Sequence, residues 1–172
     1  MCTSKGLFDV ELAGVVAYSG LRILTDTWVH GCDLGVGDRF ELSTYEVRES
    51  EIIEFAFQWD PLGLHTDASA AAHGRFGGII ASGVQTLGVF QRLAVIGHWR
   101  SWRIIAGRGI KDLRFEGPVH PADTLSGWFV ISGVESVSRS VDVVTIAGTL
   151  SNQYGATVLT LTMELQLEHG LY

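Results

Sequence analysis

The chain has 172 residues, 47% of them hydrophobic and 18% charged, with a formal net charge of −7. That length suits one domain with a single sizeable core, and the lack of any basic cluster excludes a nucleic-acid surface, where lysines and arginines must neutralise phosphates. Two cysteines, Cys2 and Cys32, are too few for a disulfide framework or a thiolate metal site, so a reducing cytoplasm is the expected compartment.

Residues 1–33 carry no recognisable motif. Val10, Leu12, Val15 and Val16 are strand-like, but Gly14 and Gly20 interrupt them, and the segment reads as an N-terminal extension packing on the core or on a partner. The stretch Leu12 to Leu21 imitates a short signal-peptide core, yet Asp9 and Glu11 precede it and only Lys5 supplies positive charge, the reverse of a secretory leader. The domain proper is expected to run from 34 to 172. It opens with a turn at Gly35-Val36-Gly37-Asp38 and a strand from Arg39 to Val47. A helix opened by Glu49 or Ser50 follows, with Ile52, Ile53, Phe55, Ala56 and Trp59 on its apolar side, and it delivers Asp60 at its C-terminal end. In the run Asp60-Pro61-Leu62-Gly63-Leu64-His65-Thr66-Asp67, Pro61 and Gly63 speak against regular helix, and Asp67 is a plausible cap for whatever follows.

Next come Gly74-Arg75-Phe76-Gly77-Gly78, a turn, and the apolar run from Val84 to Trp99. That run is shorter than the ~18–20 residues of a membrane span and is interrupted by Gln91 and Arg92, so no membrane is expected. Its apolar residues run nearly all round a helical axis, which predicts a buried helix. Four strands complete the chain: Ile104 to Phe115, Leu125 to Ile131, Val141 to Leu150 and Val158 to Leu167, the last two joined by a turn at Asn152-Gln153-Tyr154-Gly155. The prediction is an α+β fold with one twisted antiparallel sheet wrapped around one buried helix. Such a sheet leaves an edge unpaired, and together with the apolar excess this predicts a homodimer.

A carboxylate and an imidazole at the two ends of a stiff loop can hold one water between them and move protons near neutral pH. The bland alternative for Asp60 and His65 is a turn aspartate and a surface histidine. A metal site from Asp60, His65, Asp67 and His73 is conceivable on ligand type, but their spacing matches no known frame. The glycines of 74–78 lack the Gly-Lys-Ser/Thr ending of a phosphate loop. His73, His98 and His120 read as surface or boundary residues, and Pro118, Pro121 and Asp123 as structural.

Three segments in this order carry a family resemblance: the Asp60–Asp67 loop; Gly74-Arg75-Phe76-Gly77-Gly78 leading through Ser82-Gly83 into the apolar helix; and Gly117-Pro118-Val119-His120-Pro121-Ala122-Asp123-Thr124-Leu125. Over roughly residues 35–168 the chain resembles the MaoC-like dehydratases, the group that includes the (R)-specific enoyl-CoA hydratases. The resemblance implies a single hotdog fold and hydration of an α,β-unsaturated acyl thioester, on CoA or an acyl carrier protein, without a cofactor or metal. It implies Asp60 as general base on water, His65 as its partner in proton delivery, and the Gly83 amide as donor to the thioester oxygen, with Ser82 and Gln91 as further substrate-binding candidates. The chain departs from the family pattern at three places. Ser82 stands where the (R)-specific hydratases carry His, Leu62 and Gly63 replace Asn and Pro, and Gln91 aligns with a Ser that assists the water in some members.

Two other functions suit the same scaffold. A hotdog thioesterase uses a carboxylate on the central helix, and Val84 to Trp99 contains no Asp or Glu. A non-catalytic acyl-thioester-binding or partner subunit of a heteromeric hydratase would have no need of the Asp60/His65 pair.

Overall fold

The computed structural model describes residues 28–170; the strand-like residues at Val10 to Val16, the apolar stretch Leu12 to Leu21 and Cys2 lie outside the described residues. Strands β1 (Arg39–Glu46), β2 (Ile104–Phe115), β3 (Thr124–Ser136), β4 (Val141–Ser151) and β5 (Thr157–Glu168) form one sheet in the order β1-β3-β4-β5-β2. Every pairing in it is antiparallel. Among the described residues four α-helices form before the sheet is complete: α1 (Glu49–Trp59), α2 (Gly63–Thr66), α3 (Ala68–Ala72) and α4 (Gly83–Gly97). This is the hotdog arrangement expected from the sequence.

Period-2 alternation sets the register of β5. Leu159, Leu161, Met163, Leu165 and Leu167 are all buried, while Thr160, Thr162, Glu164 and Gln166 between them are half-buried. The β4–β5 turn forms as expected, with Gly155 at φ +77° and its N–H on the Asn152 carbonyl at 2.9 Å. Helix α4 lies against the concave face through Val89, Phe90, Leu93 and Ala94. Phe90 comes so close to β4 that a Cβ on Gly148 would stand 2.4 Å from its ring, so glycine there lets the helix seat on the sheet.

Helix α4 is not buried all round. Val84 and Ile96 are 58% and 45% exposed, and Gln91 and Arg92 share their open side. One sheet covers only one face of a helix, so the apolar residues on the other face remain uncovered within a single chain. Trp59 is also exposed, and α1 is held instead by Ile52 and Ala56. Edge strand β2 is open along nearly its whole length and breaks register at three places, including Gly107 to Gly109.

Residues 28–33 pack on the domain. Val29 bonds both ways across to Ser101 and Arg103, and the Cys32 N–H reaches the His169 carbonyl. Beside them Asp142, fully buried, accepts from Ser136 Oγ at 2.6 Å and from His169 Nδ1 at 2.8 Å, which ties the ends of β3, β4 and β5 together.

Candidate active site

Asp60 is the residue on which α1 ends. Its N–H still bonds the Ala56 carbonyl at 2.9 Å, but its backbone (φ −156°, ψ 68°) has left the helix, as Pro61 requires. The loop beyond is more regular than expected. Gly63–Thr66 makes one helical turn, closed by His65 N–H to Leu62 O and Asp67 N–H to Gly63 O, both at 2.9 Å. Pro61 precedes that turn, so its ring and missing N–H cost the turn nothing. Asp67 caps α3 as expected, its Oδ1 accepting from the Ser69 and Ala70 amides at 2.9 and 3.0 Å. The turn aims His65 inward, where only 7% of its side chain is exposed.

The segment Ile79–Ser82 forms the opposite wall. It is buried and extended, held by Ile80 N–H to Leu64 O and Ala81 N–H to Val119 O, and it is fed by the turn at Gly77, where φ is +70°. The Ile80 carbonyl lies 2.7 Å from His65 Nδ1. A carbonyl only accepts, so Nδ1 carries the proton and Nε2 is left facing Asp60. Nε2 stands 3.5 Å from Asp60 Oδ2. At that separation one water at ordinary hydrogen-bond length, about 2.8 Å, can touch both atoms.

Ser82 precedes α4 but makes no capping bond; its hydroxyl donates to Asp60 Oδ2 at 2.6 Å. The first amides of α4, beginning with Gly83, are those for which a helix has no internal acceptor. Beside them is a pocket of about 340 Å³ whose walls include His65, Ile80, Gly83, Thr86, Phe115 and Val119, with Arg75 and Glu116 at its polar edge. Asp60 is not among the residues that line this pocket; it approaches His65, which does, with 31% of its own side chain exposed.

Of the residues singled out from sequence, Asp60, His65, Ser82 and Gly83 converge. Gln91 does not. It lies two helical turns beyond Gly83, about 12 Å along the axis at 1.5 Å per residue, on the exposed side of α4. There it lines a different pocket, of about 490 Å³, with Trp99, Arg108 and Met163. Sequence reasoning missed the Ile80 carbonyl and the Phe115 ring, because a backbone acceptor and a long-range ring contact leave no local signal. His73, His98 and His120 each face a backbone carbonyl, of Ser69, Glu41 and Phe76 respectively. Among the described residues no three His, Cys, Asp or Glu side chains gather as a metal site.

Residues 34–153 match the family described as MaoC like domain. The chain belongs to that family. A MaoC-like dehydratase from Rhodospirillum rubrum is 30% identical, with a TM-score of 0.72 over 81% of this chain and 96% of that one. A monoamine oxidase regulatory protein from Archaeoglobus fulgidus is 27% identical, with a TM-score of 0.78 over 84% and 97%. The YdeM protein of Bacillus subtilis (strain 168) is 38% identical over 90 residues, which are 52% of this chain and 64% of YdeM, so the match spans less than two thirds of that relative.

Proposed function

We propose that the chain adds water reversibly across the double bond of an α,β-unsaturated acyl thioester, presented on CoA or on an acyl carrier protein. The observation that carries this reading is the 3.5 Å approach of His65 Nε2 to Asp60 Oδ2, with Nδ1 anchored on the Ile80 carbonyl, at the wall of a pocket that also contains Gly83. The Asp60 carboxylate removes a proton from a water held between it and His65, and the water oxygen bonds to Cβ. The π electrons move to the thioester oxygen, where the Gly83 amide and the positive end of α4 stabilise the enolate. The proton then passes to Cα, by way of His65 or directly from Asp60, on the face from which the oxygen came. Atoms and charge balance, and both side chains return to their starting state.

Membership of the MaoC-like family and the dehydratase among its structural relatives support this reaction class. A role in fatty-acid metabolism is the proposal that goes with this substrate class. Among the described residues no helix is long and apolar enough to cross a membrane. The active form is a homodimer, because β2 and the open side of α4 both present apolar residues to solvent.

The test is hydration of crotonyl-CoA and of a longer enoyl-CoA, followed by loss of enoyl absorbance. Turnover of either supports the reading. No turnover of these or of the matching enoyl-acyl carrier protein by folded protein overturns it.

A further inference from the structure

We infer that Ser82 is a positioning residue for Asp60: its hydroxyl engages Oδ2, the oxygen that faces His65, and so fixes the carboxylate beside the reacting water. The functional part of this inference rests on the hydration reading above; the contact itself does not.

Ser82 is fully buried, and a serine hydroxyl has one proton to give. At its position immediately before α4 its oxygen would ordinarily accept from a first-turn amide, but it makes no such bond. Its proton goes to Asp60 Oδ2 at 2.6 Å, within the short range of a hydroxyl bound to an ionised carboxylate. His65 Nε2 approaches the same oxygen.

The helices explain why a donor is needed. Asp60 closes the C-terminal end of α1, whose partial negative charge disfavours a carboxylate. Ser82 stands at the N-terminal end of α4, whose partial positive charge favours one. The Ser82–Asp60 bond joins these two ends across 22 residues of sequence. It fixes the side-chain angle of Asp60, which Pro61 has already freed from the helix. Because Ser82 and Gly83 are adjacent, one dipeptide then holds the base and presents the oxyanion donor. With its proton committed to Asp60, the Ser82 hydroxyl is not the partner of the thioester oxygen.

The test combines a spectroscopic signature with a kinetic cycle. In proton NMR of the wild-type protein, a hydroxyl buried in a short bond to a carboxylate gives a slowly exchanging downfield resonance. It should vanish in Ser82→Ala and move upfield in Asp60→Asn, whose neutral amide oxygen accepts more weakly. In crotonyl-CoA hydration, Ser82→Ala should lower kcat about 10-fold with KM changed less than about 2-fold. In an Asp60→Asn background the same change should cost less than about 2-fold, because residues acting as one unit are not additive. Ser82→Thr, which keeps the hydroxyl, should recover most of kcat wherever it folds. A hydroxyl resonance that does not move in Asp60→Asn overturns the inference. So does a rise in KM at unchanged kcat, which would make Ser82 a substrate contact, and so do equal losses in both backgrounds. If the resonance behaves as expected and no enoyl thioester is hydrated, the Ser82–Asp60 contact stands and the hydratase reading falls.

Discussion

The ring of Phe115 lies over Gly83 so closely that a Cβ on Gly83 would stand 2.7 Å from its Cε2 atom. Gly83 has no left-handed backbone conformation to explain it. Its reason is this contact, which closes one wall of the pocket beside His65 with a ring from edge strand β2. The space beside the Gly83 backbone goes in part to Phe115, which is still 50% exposed and lines the same pocket.

Gly83→Ala should therefore destabilise the fold by about 1–3 kcal/mol, the usual cost of overpacking. Phe115→Ala should relieve most of that cost when combined with it, a coupling that thermal unfolding of the two single variants and the double variant would measure. Gly83→Val, with a branched side chain, should cost more and also reduce hydration strongly. Additive effects of Gly83→Ala and Phe115→Ala would show that the ring moves freely away from Gly83 in solution.

Asp60→Asn and His65→Ala should each lower turnover by about 10²-fold or more, the scale of a positioned general acid–base group. His65 is buried within its turn, whereas 31% of the Asp60 side chain is exposed. Thermal stability should fall far less than activity in Asp60→Asn. Near-normal hydration by either variant would remove the dyad from the mechanism.

How legible this was depended on the range of the interaction. The Asp60–His65 pair, the Asp67 cap and the alternation of β5 are local, and spacing revealed them. The hotdog fold came from three ordered motifs and the count of strands. The Ser82–Asp60 bond joins residues far apart in sequence, and no local signal pointed to it; Ser82 was expected to contact substrate instead. Gln91 stands apart from the other candidates, which spacing did not foretell because an alignment position does not say on which side of a helix a residue faces. At 1.5 Å per residue, its distance from Gly83 already sets it apart within one chain. The exposed side of α4 was misread for a related reason: an all-round apolar pattern records every surface that covers a helix, and a single chain supplies one of them.

Covering that second surface is the basis of the next prediction. Light scattering at micromolar concentration should report a homodimer. Ile105, Ile110 and Phe115 on β2 are 51%, 40% and 50% exposed, and Phe57, Trp59 and Leu62 beside Asp60 are 65%, 71% and 55% exposed. An unpaired edge with this much apolar surface invites association. Ile110→Asp should shift the population toward monomer without unfolding it. A wild-type monomer at that concentration would contradict the proposal.

Part of the acid sensitivity should arise at the start of α1, the helix that leads to Asp60. The Arg48 guanidinium bonds the Glu51 carboxylate there, the Tyr45 hydroxyl donates to it at 3.1 Å, and together they hold its pKa below the ordinary 4.5. Tyr45 is shifted the other way, upward, first by burial and then by its bond to Glu51. For Glu51 the folded-state value lies below the unfolded one. Its contribution is therefore fully present above the unfolded value, near pH 4.5, and is lost as the pH falls through the folded value. Glu51→Gln should flatten the dependence of Tm on pH below about 4.5 while leaving the curve parallel to wild type at neutral pH. Tyr45→Phe should remove a smaller part of the same slope, because Arg48 supplies the largest share of the shift. An unchanged acid slope in Glu51→Gln would show that the Arg48–Glu51–Tyr45 cluster does not anchor α1.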